Sequence, residues 1–397
     1  MKIVYATDAF YPRTHGIAIC IDSSIRYLAK KGHEIDVISP DYPHFEDKRH
    51  YPKNMRIHRF SSYSLWFTSN KEERFIYKKQ KNHIRALLDK IKPDIIHIHL
   101  EFSVGRCVKK WAMENNVPLV MTIHTYYPPY FKIYMPFLPM AFWKWFIKGF
   151  SKRFYKNFNY LITPSKEMKE VIHDVYKIKS PVEVLPIGID LSNFKGVDRE
   201  HEYKNSFLLE KYPRIKSRRR LLFVGRIGSE KNIEFLFEVM KELLKQRTDV
   251  ELLMVGSGSY SEYYEKMVAK MNLSSHVTFF GSFPNDQMKY IYALADIFTF
   301  ASVTETQGLV TTEALCNELP VVAVSALGSK SVLEGNKGGF LVNLDVKEFA
   351  NKVSLLLDNK ETYEQKKAQA RKMVEDLSFD KVTGPRLEEI YHHIIGL

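Results

Sequence analysis

Two carboxylates with seven residues between them, Glu305 and Glu313, stand in the run Thr304-Glu305-Thr306-Gln307-Gly308-Leu309-Val310-Thr311-Thr312-Glu313-Ala314. A strand-like apolar run, 297–301, precedes them, and an apolar helical run ending near 319 follows. The pattern predicts Glu305 in a strand-to-helix turn and Glu313 on the helix. Amides at Gly308 and Leu309 would then be helix N-terminal donors, suited to a phosphate. Carboxylates accept hydrogen bonds from vicinal hydroxyls, so a sugar or a ribose is the matching ligand. The ordinary alternative makes Glu305 an acid that compensates the helix dipole and Glu313 a solvated helix residue.

A second set lies in Gly225-Arg226-Ile227-Gly228-Ser229-Glu230-Lys231-Asn232. Arg226 and Lys231 beside a helix start would make a diphosphate clamp and could neutralise a departing nucleotide diphosphate. The spacing is not that of a Walker loop. A surface loop with solvated charges is the competing account.

The first half holds His97, His99 and His124. His97 and His99 share a strand face, but no third ligand has metal-like spacing, so packing or polar-cleft roles are favoured over a metal. His124 ends a strand, where α/β folds place ligand contacts, and Glu101 lies in a similar loop. Residues 126–158 are dense in aromatics and free of acids. Phe142, Phe146, Phe150, Phe154 and Phe158 recur at four-residue steps, and Lys144, Lys148, Lys152 and Lys156 do so offset by two. An offset of about 200° predicts two opposite stripes. Trp143 and Ile147 broaden the apolar stripe, and Trp145 falls nearer the polar one. That composition suits an interfacial helix with lysines on anionic membrane lipids, and the aromatics of 130–137 add to it. A core-facing helix with a solvated lysine face is the other reading.

These residues need elements to hold them. Strands at 2–7, 34–39, 56–60, 94–99, 119–123, 160–163 and 182–185 alternate with helices at 17–31, 71–91, 104–115, 140–157 and 166–176. The pattern predicts a doubly wound α/β domain. Residues 186–196 read as a linker, and the charged stretch to 220 has no long apolar run. The alternation then restarts, with strands at 221–225, 250–255, 277–280, 297–300, 320–324 and 339–342. Helices are expected at 233–245 and 288–294, and over most of 345–376 and 380–395. The domains expected are 1–190 and 197–379, facing each other across a cleft.

The chain has 397 residues and a formal net charge of +13. Residues 1–200 carry 33 Lys and Arg against 20 Asp and Glu; residues 201–397 carry 26 against 26. The basic half suits nucleic acid or an anionic membrane. No nucleic-acid motif and no arginine–aromatic stacking series is present, so a non-enzymatic nucleic-acid-binding protein ranks as a distant alternative. Cys20, Cys107 and Cys316 sit among apolar neighbours and read as reduced core residues of a cytoplasmic protein. No signal-peptide pattern opens the chain, and no apolar run approaches the ~20 residues of a membrane span.

Taken together, the Glu305…Glu313 run and Gly225-Arg226…Glu230-Lys231 resemble the retaining family-4 glycosyltransferases of GT-B fold. The stretches His97-Ile98-His99-Leu100-Glu101-Phe102-Ser103-Val104-Gly105 and Thr122-Ile123-His124-Thr125-Tyr126-Tyr127 are closest to those of bacterial diacylglycerol glucosyl- and galactosyltransferases. The resemblance implies that Arg226 and Lys231 hold the diphosphate of a nucleotide sugar, helped by Gly308 and Leu309. Glu305 would bind sugar hydroxyls, Glu313 the ribose, and Phe283 the base through its backbone. Gly16 would let the first loop approach the phosphates, and His124 would touch the sugar. Glu101 and Tyr126 are acceptor candidates, and Phe142, Trp143, Lys144, Phe146, Lys148, Phe150 and Lys152 are membrane candidates. The last helix, 380–397, would pack back on the first domain. Two departures stand out. His15 precedes Gly16 where the family often has a second glycine, and Thr306-Gln307 replaces a Gly-Phe pair, as in the lipid branch. The implied reaction moves glucose or galactose from UDP-glucose or UDP-galactose to diacylglycerol, with retention and no required metal or cofactor. It would occur at the cytoplasmic face of the membrane. The same chemistry on a polyprenyl-linked glycan, a sterol or another polysaccharide acceptor is the alternative.

Overall fold

A computed structural model describes residues 1–12, 16–43, 45, 47, 49–64, 73–127, 139–178, 180–194 and 197–396. The chain divides into two compact units, Met1–Gly188 with Phe379–Leu397, and Ile189–Ser378.

The first unit is built on β1 (Lys2–Ala6), β2 (Glu34–Pro40), β3 (Met55–Phe60), β6 (Ile95–Ile98), β7 (Leu119–Thr122), β8 (Tyr160–Thr163) and β9 (Val182–Val184). They form a seven-stranded parallel sheet in the order β3-β2-β1-β6-β7-β8-β9. Its helices are α1 (Gly16–Lys30), α2 (Gln80–Ile91), α3 (Ser103–Glu114), α4 (Met140–Tyr155) and α5 (Lys166–Asp174). β1 is central and covered on both faces, which explains its unbroken apolar run. Ile3 and Tyr5 enter the core cluster holding α1 residues Ile21, Ile25 and Leu28, whereas Val4 and Ala6 enter the one holding Ile84, Val108 and Phe154. Alternate side chains of a strand point to opposite faces, so one strand nucleates both layers. The strand order reverses between β1 and β6, and the loops leaving these strands part there to leave a crevice.

Residues 71–91 depart from expectation. Ser62–Ser64 (β4) and Arg74–Ile76 (β5) pair antiparallel, and α2 starts only at Gln80. Residues 74–79 lack the repeating apolar positions that would bury one helical face. Arg74 instead bonds back to Ser62 through its side chain, at 2.7 Å to both Oγ and the carbonyl oxygen. Residues 71 and 72 lie outside the described residues.

The second unit carries β10 (Arg219–Val224), β11 (Val250–Val255), β12 (Val277–Gly281), β13 (Ile297–Phe300), β14 (Val321–Val324) and β15 (Gly339–Val342). All are parallel, in the order β12-β11-β10-β13-β14-β15. The stretch before β10, which has no long apolar run, forms α6 (Arg199–Asn205) and α7 (Phe207–Lys211). Each is too short to show helical periodicity, but Asp198 and Ser206 cap them by accepting from the amides of His201 and Leu208. The later helices are α8 (Ile233–Leu243), α9 (Ser261–Lys270), α10 (Met288–Ala293), α11 (Leu309–Cys316), α12 (Leu327–Val332), α13 (Val346–Asp358) and α14 (Lys360–Met373). The reversal of strand order here lies between β10 and β13, so the loops 225–232 and 301–308 share one crevice.

The chain then returns to the first unit. α15 (Gly384–Ile395) buries Leu387, Ile390 and Tyr391 in the cluster that holds Ile3 and Tyr5.

Candidate active site

Both loops at the β10/β13 reversal are fixed by backbone packing. Gly256 and Gly258 bring the loop after β11 against 225–227. A Cβ on Gly256 would lie 1.8 Å from the Gly225 oxygen, and one on Gly258 2.2 Å from the Ile227 oxygen. The Ile227 amide donates to the Ser257 oxygen at 3.0 Å. Asn232, in the left-handed region at φ 53°, donates from Nδ2 to the Ala301 oxygen at 3.2 Å and joins the two site loops.

On this frame Arg226 donates to Glu230 Oε1 at 2.6 Å, and Lys231 pairs with Glu305. Glu230 is only 6 % exposed and its backbone oxygen accepts from the hydroxyls of Ser302 and Thr304, both at 3.3 Å. The competing account, a surface loop with solvated charges, does not describe Lys231, and both cations are oriented by carboxylates. Glu305 lies in the strand-to-helix turn, and its carbonyl accepts from the Gly328 amide at 2.7 Å. Gly308 adopts φ +75° as the residue before α11, so the helix opens with its amides at the crevice.

Glu313, one of the carboxylates read from spacing, is buried rather than solvated. Tyr292 donates its hydroxyl to Oε2 at 2.7 Å, and burial raises the carboxyl pKa to about 7. Phe283 follows β12, half-buried and edge-on to Phe280. Its neighbour Ser282 donates to the Ser257 hydroxyl at 2.8 Å, which ties that loop to the one beneath Ile227. The second unit thus gathers two cations, a helix N-terminus and three carboxylates in different environments. Such a set can hold a diphosphate and accept from hydroxyls. Glu230 and Tyr292 were not singled out from sequence. Glu230 lay inside the basic motif itself, whereas Tyr292 meets Glu313 only through folding.

In the first unit, β1 and β6 present Asp8, His97 and His99. Asp8 accepts from Ser103 Oγ at 2.6 Å and from the amides of Val104 and Gly105 at 2.7 and 3.3 Å, which caps α3. Burial raises its pKa to about 6 against these bonds. His97 bonds Tyr391 through Nδ1 at 2.5 Å and Thr122 through Nε2 at 2.7 Å. His99 Nδ1 and His124 Nε2 lie 2.9 Å apart. Burial holds all three imidazoles neutral, His124 with a pKa near 3. Cys20, His99 and His124 place one ligand atom each within 4.8 Å of one another, a grouping that sequence spacing did not show. Cys20 reaches it from α1, far from the histidines in sequence. Gly16 opens α1 in an exposed position; His15 lies outside the described residues.

Glu101 needs correction as an acceptor candidate. Only 2 % of it is exposed, and its carboxylate accepts the hydroxyls of Tyr127 and Tyr155. It ties the loop after β6 to α4 instead of facing a ligand. Tyr126 is half-buried against the same core.

The phenylalanine stripe of α4 also needs correction. Phe142 and Phe146 are exposed, Phe150 is half-buried, and Phe154 and Phe158 are buried. Each four-residue step advances 400°, so the stripe drifts about 40° per step and sweeps around the helix. The buried seam of the helix runs instead through Trp143, Ile147, Ser151, Phe154 and Tyr155. The outward face carries Phe142, Trp145 and Phe146 in its first turns, and Lys148, Lys152, Arg153 and Lys156 later. Trp145, 70 % exposed, stands farthest out. Lys144 is exposed beside it. Lys109, buried under the end of α4, donates to the carbonyls of Phe154 and Lys156. The aromatics of 130–137 lie outside the described residues. No described helix is long and apolar enough to cross a membrane.

Residues 14–193 match the family described as Glycosyltransferase Family 4, and residues 205–373 match Glycosyl transferases group 1. Two proteins named alpha-monoglucosyldiacylglycerol synthase are similar in sequence. That of Streptococcus pneumoniae is 28% identical over 326 residues, covering 81% of this chain and 71% of the relative. That of Acholeplasma laidlawii is 27% identical over 356 residues, covering 86% and 85%. Among solved structures, Anabaena HepE in complex with UDP and glucose shares the fold, with a TM-score of 0.75 and 15% identity over 98% of this chain and 99% of that one.

Proposed function

The chain belongs to the glycosyltransferases of GT-B fold, and from that premise we propose that it moves glucose or galactose from a UDP-sugar to diacylglycerol, giving an α-glycosyl diacylglycerol. The observation that carries the donor half is the Lys231–Glu305 pair beside Arg226 and the start of α11. A diphosphate arriving there takes Lys231 and Arg226 as counter-charges and the amides of Gly308 and Leu309 as donors. Glu305, released from Lys231, accepts from hexose hydroxyls. Glu313 accepts from the ribose, with Tyr292 occupying its other oxygen, and the backbone at Phe283 lines the base. Gly16 and His124 are the first unit's candidates for contacting the donor. As the bond to the anomeric carbon breaks, negative charge grows on the leaving phosphate, and the preorganised cations stabilise it more than the ground state. The acceptor hydroxyl attacks on the leaving-group side and passes its proton to the departing diphosphate oxygen, so configuration is retained. No bound metal is needed for this charge balance.

The lipid acceptor rests on α4. Three exposed aromatics followed by four basic residues match a helix lying at an anionic membrane surface, aromatics at the acyl boundary and cations at headgroups. Similarity to two glucosyldiacylglycerol synthases supports the same acceptor, and attachment is proposed as peripheral, at the cytoplasmic face. The test is a panel of radiolabelled UDP-sugars with diacylglycerol in mixed micelles. One labelled α-glycosyl diacylglycerol supports the reading; transfer only to a polyprenyl-linked glycan or a sterol, or to no lipid, overturns it.

A further inference from the structure

At the N-terminal edge of the first sheet, at the opposite end of the strands from the loops after β1 and β6, three side chains converge from two elements. His33 sits in the turn between α1 and β2. Its Nε2 lies 2.8 Å from Glu388 Oε1 on α15. His392 is one helical turn beyond Glu388, on the same face by its four-residue spacing. The His33 and His392 rings lie 6.1 Å apart, centroid to centroid, tilted at 59°. One ligand atom from each of the three lies within 4.8 Å of the others.

Both supports are rigid. The His33 amide donates to the Leu28 oxygen at 3.1 Å, and Asn54 Nδ2 bonds the carbonyls of both Ala29 and His33 at 2.8 Å. On α15, Tyr391 is buried next to His392 in sequence and bonds Tyr5 at 2.8 Å. The hydrogen bond between His33 and Glu388, with the Met1 amino group 3.2 Å from His33 Nδ1, accounts for two of the three groups. It leaves the His392 imidazole turned toward the pair and making no hydrogen bond among the described residues. Two imidazoles and a carboxylate are a common ligand set for a divalent transition ion. A tetrahedral zinc ion, with bonds near 2.0–2.2 Å, sets its ligand atoms about 3.4 Å apart. To reach that value the His33–Glu388 contact opens from 2.8 Å, and the wider spacings, all within 4.8 Å, close by side-chain rotation. The site is partly open, so a water can fill a fourth position: the His33 side chain is 10 % exposed and that of Glu388 20 %.

We propose that His33, Glu388 and His392 bind a divalent transition metal ion, zinc by ligand type, which clamps the returning helix α15 to the α1–β2 turn. The site is independent of the transfer chemistry proposed above.

The test uses full-length protein freed of any affinity tag and stripped with chelator, then titrated with zinc or cobalt ions. Calorimetry should show one tight site per chain, and zinc should raise the unfolding temperature. H392A should weaken binding by at least about tenfold, the lower end of what losing even a second-shell partner costs, and should abolish the thermal shift. E388Q, which keeps the shape of the side chain, should weaken it too. H393A, altering the exposed neighbour, should bind as the wild type does. Circular dichroism of the metal-free variants checks that each is folded. Bound cobalt should show tetrahedral ligand-field bands without thiolate charge transfer. A thiolate band would place the ion among Cys20, His99 and His124 and overturn the assignment. Unchanged affinity in H392A, or no binding at one ion per chain, would overturn it equally.

Discussion

Lys231 and Glu305, 74 residues apart in sequence, form an ion pair at the crevice between β10 and β13. The lysine side chain is 14 % exposed and the glutamate 20 %, so neither charge is fully solvated. Each holds the other where a donor would meet both. K231A should lower kcat by roughly 100- to 1000-fold, as loss of one preorganised charge at a leaving group does. E305Q should act on the same step. Steady-state kinetics of the two variants and the double variant, with donor varied, should show strong non-additivity. Additive losses would mean that the pair does not act as one unit.

The shifted Glu313 sets a pH dependence. Its carboxyl titrates near 7 in the fold against 4.5 ordinarily, because burial outweighs the Tyr292 bond. The folded form binds the extra proton, so this group's contribution to stability falls as pH rises from about 4.5 to 7. E313Q should therefore unfold later than the wild type at pH 8, by about 1–3 kcal/mol. In the same variant donor KM should rise. For the wild type, donor KM should fall between pH 6 and 8 as the carboxylate forms. A flat KM profile, with unaltered stability in E313Q, would remove Glu313 from the donor site.

His97, His99 and His124 give the first unit the opposite sensitivity. All three are buried and neutral, with pKa values depressed by desolvation. The unfolded chain takes up protons below about pH 6.5 and the folded chain does not, so stability is lost as pH falls from there. Three such groups set a limiting slope of about 4 kcal/mol per pH unit. Denaturant unfolding at successive pH values should show more than one proton taken up on unfolding between pH 6 and 5. H99F should reduce that uptake by about one.

The two faces of α4 should separate membrane binding from folding. W145S with F142S and F146S should abolish co-sedimentation with anionic vesicles while leaving thermal stability nearly unchanged, because all three are exposed. K148E with K152E should weaken binding in a salt-dependent way. I147A, on the buried seam, should instead cost about 2–4 kcal/mol of stability. Vesicle binding that survives both surface sets would move the membrane contact off α4.

Much of this molecule was legible along the chain because its parallel strands are buried on both faces. Unbroken runs such as 221–224 and 297–301 mark themselves, and the loops that follow carry Arg226, Lys231 and Glu305. Local signals failed where pairing or packing decided the outcome. Arg74–Ile76 became a strand through Ser62–Ser64. The α4 stripe failed for a geometric reason: a four-residue register drifts about 40° per step, and the one through Phe142 starts on the outward face and reaches the core only at Phe154, whereas the register through Trp143, Ile147, Ser151 and Tyr155 stays buried.

The sequence by itself determined two α/β units and which loops bear charge, since both depend on periodicity and composition within short windows. Only the tertiary structure decided that Glu313 is buried under Tyr292, that Glu101 is spent on two tyrosine hydroxyls, and that Lys231 meets Glu305. It alone brought His392 to His33, whose sequence separation exceeds 350 residues. Burial and pairing depend on what the rest of the chain places nearby, and no window of neighbouring residues contains that information.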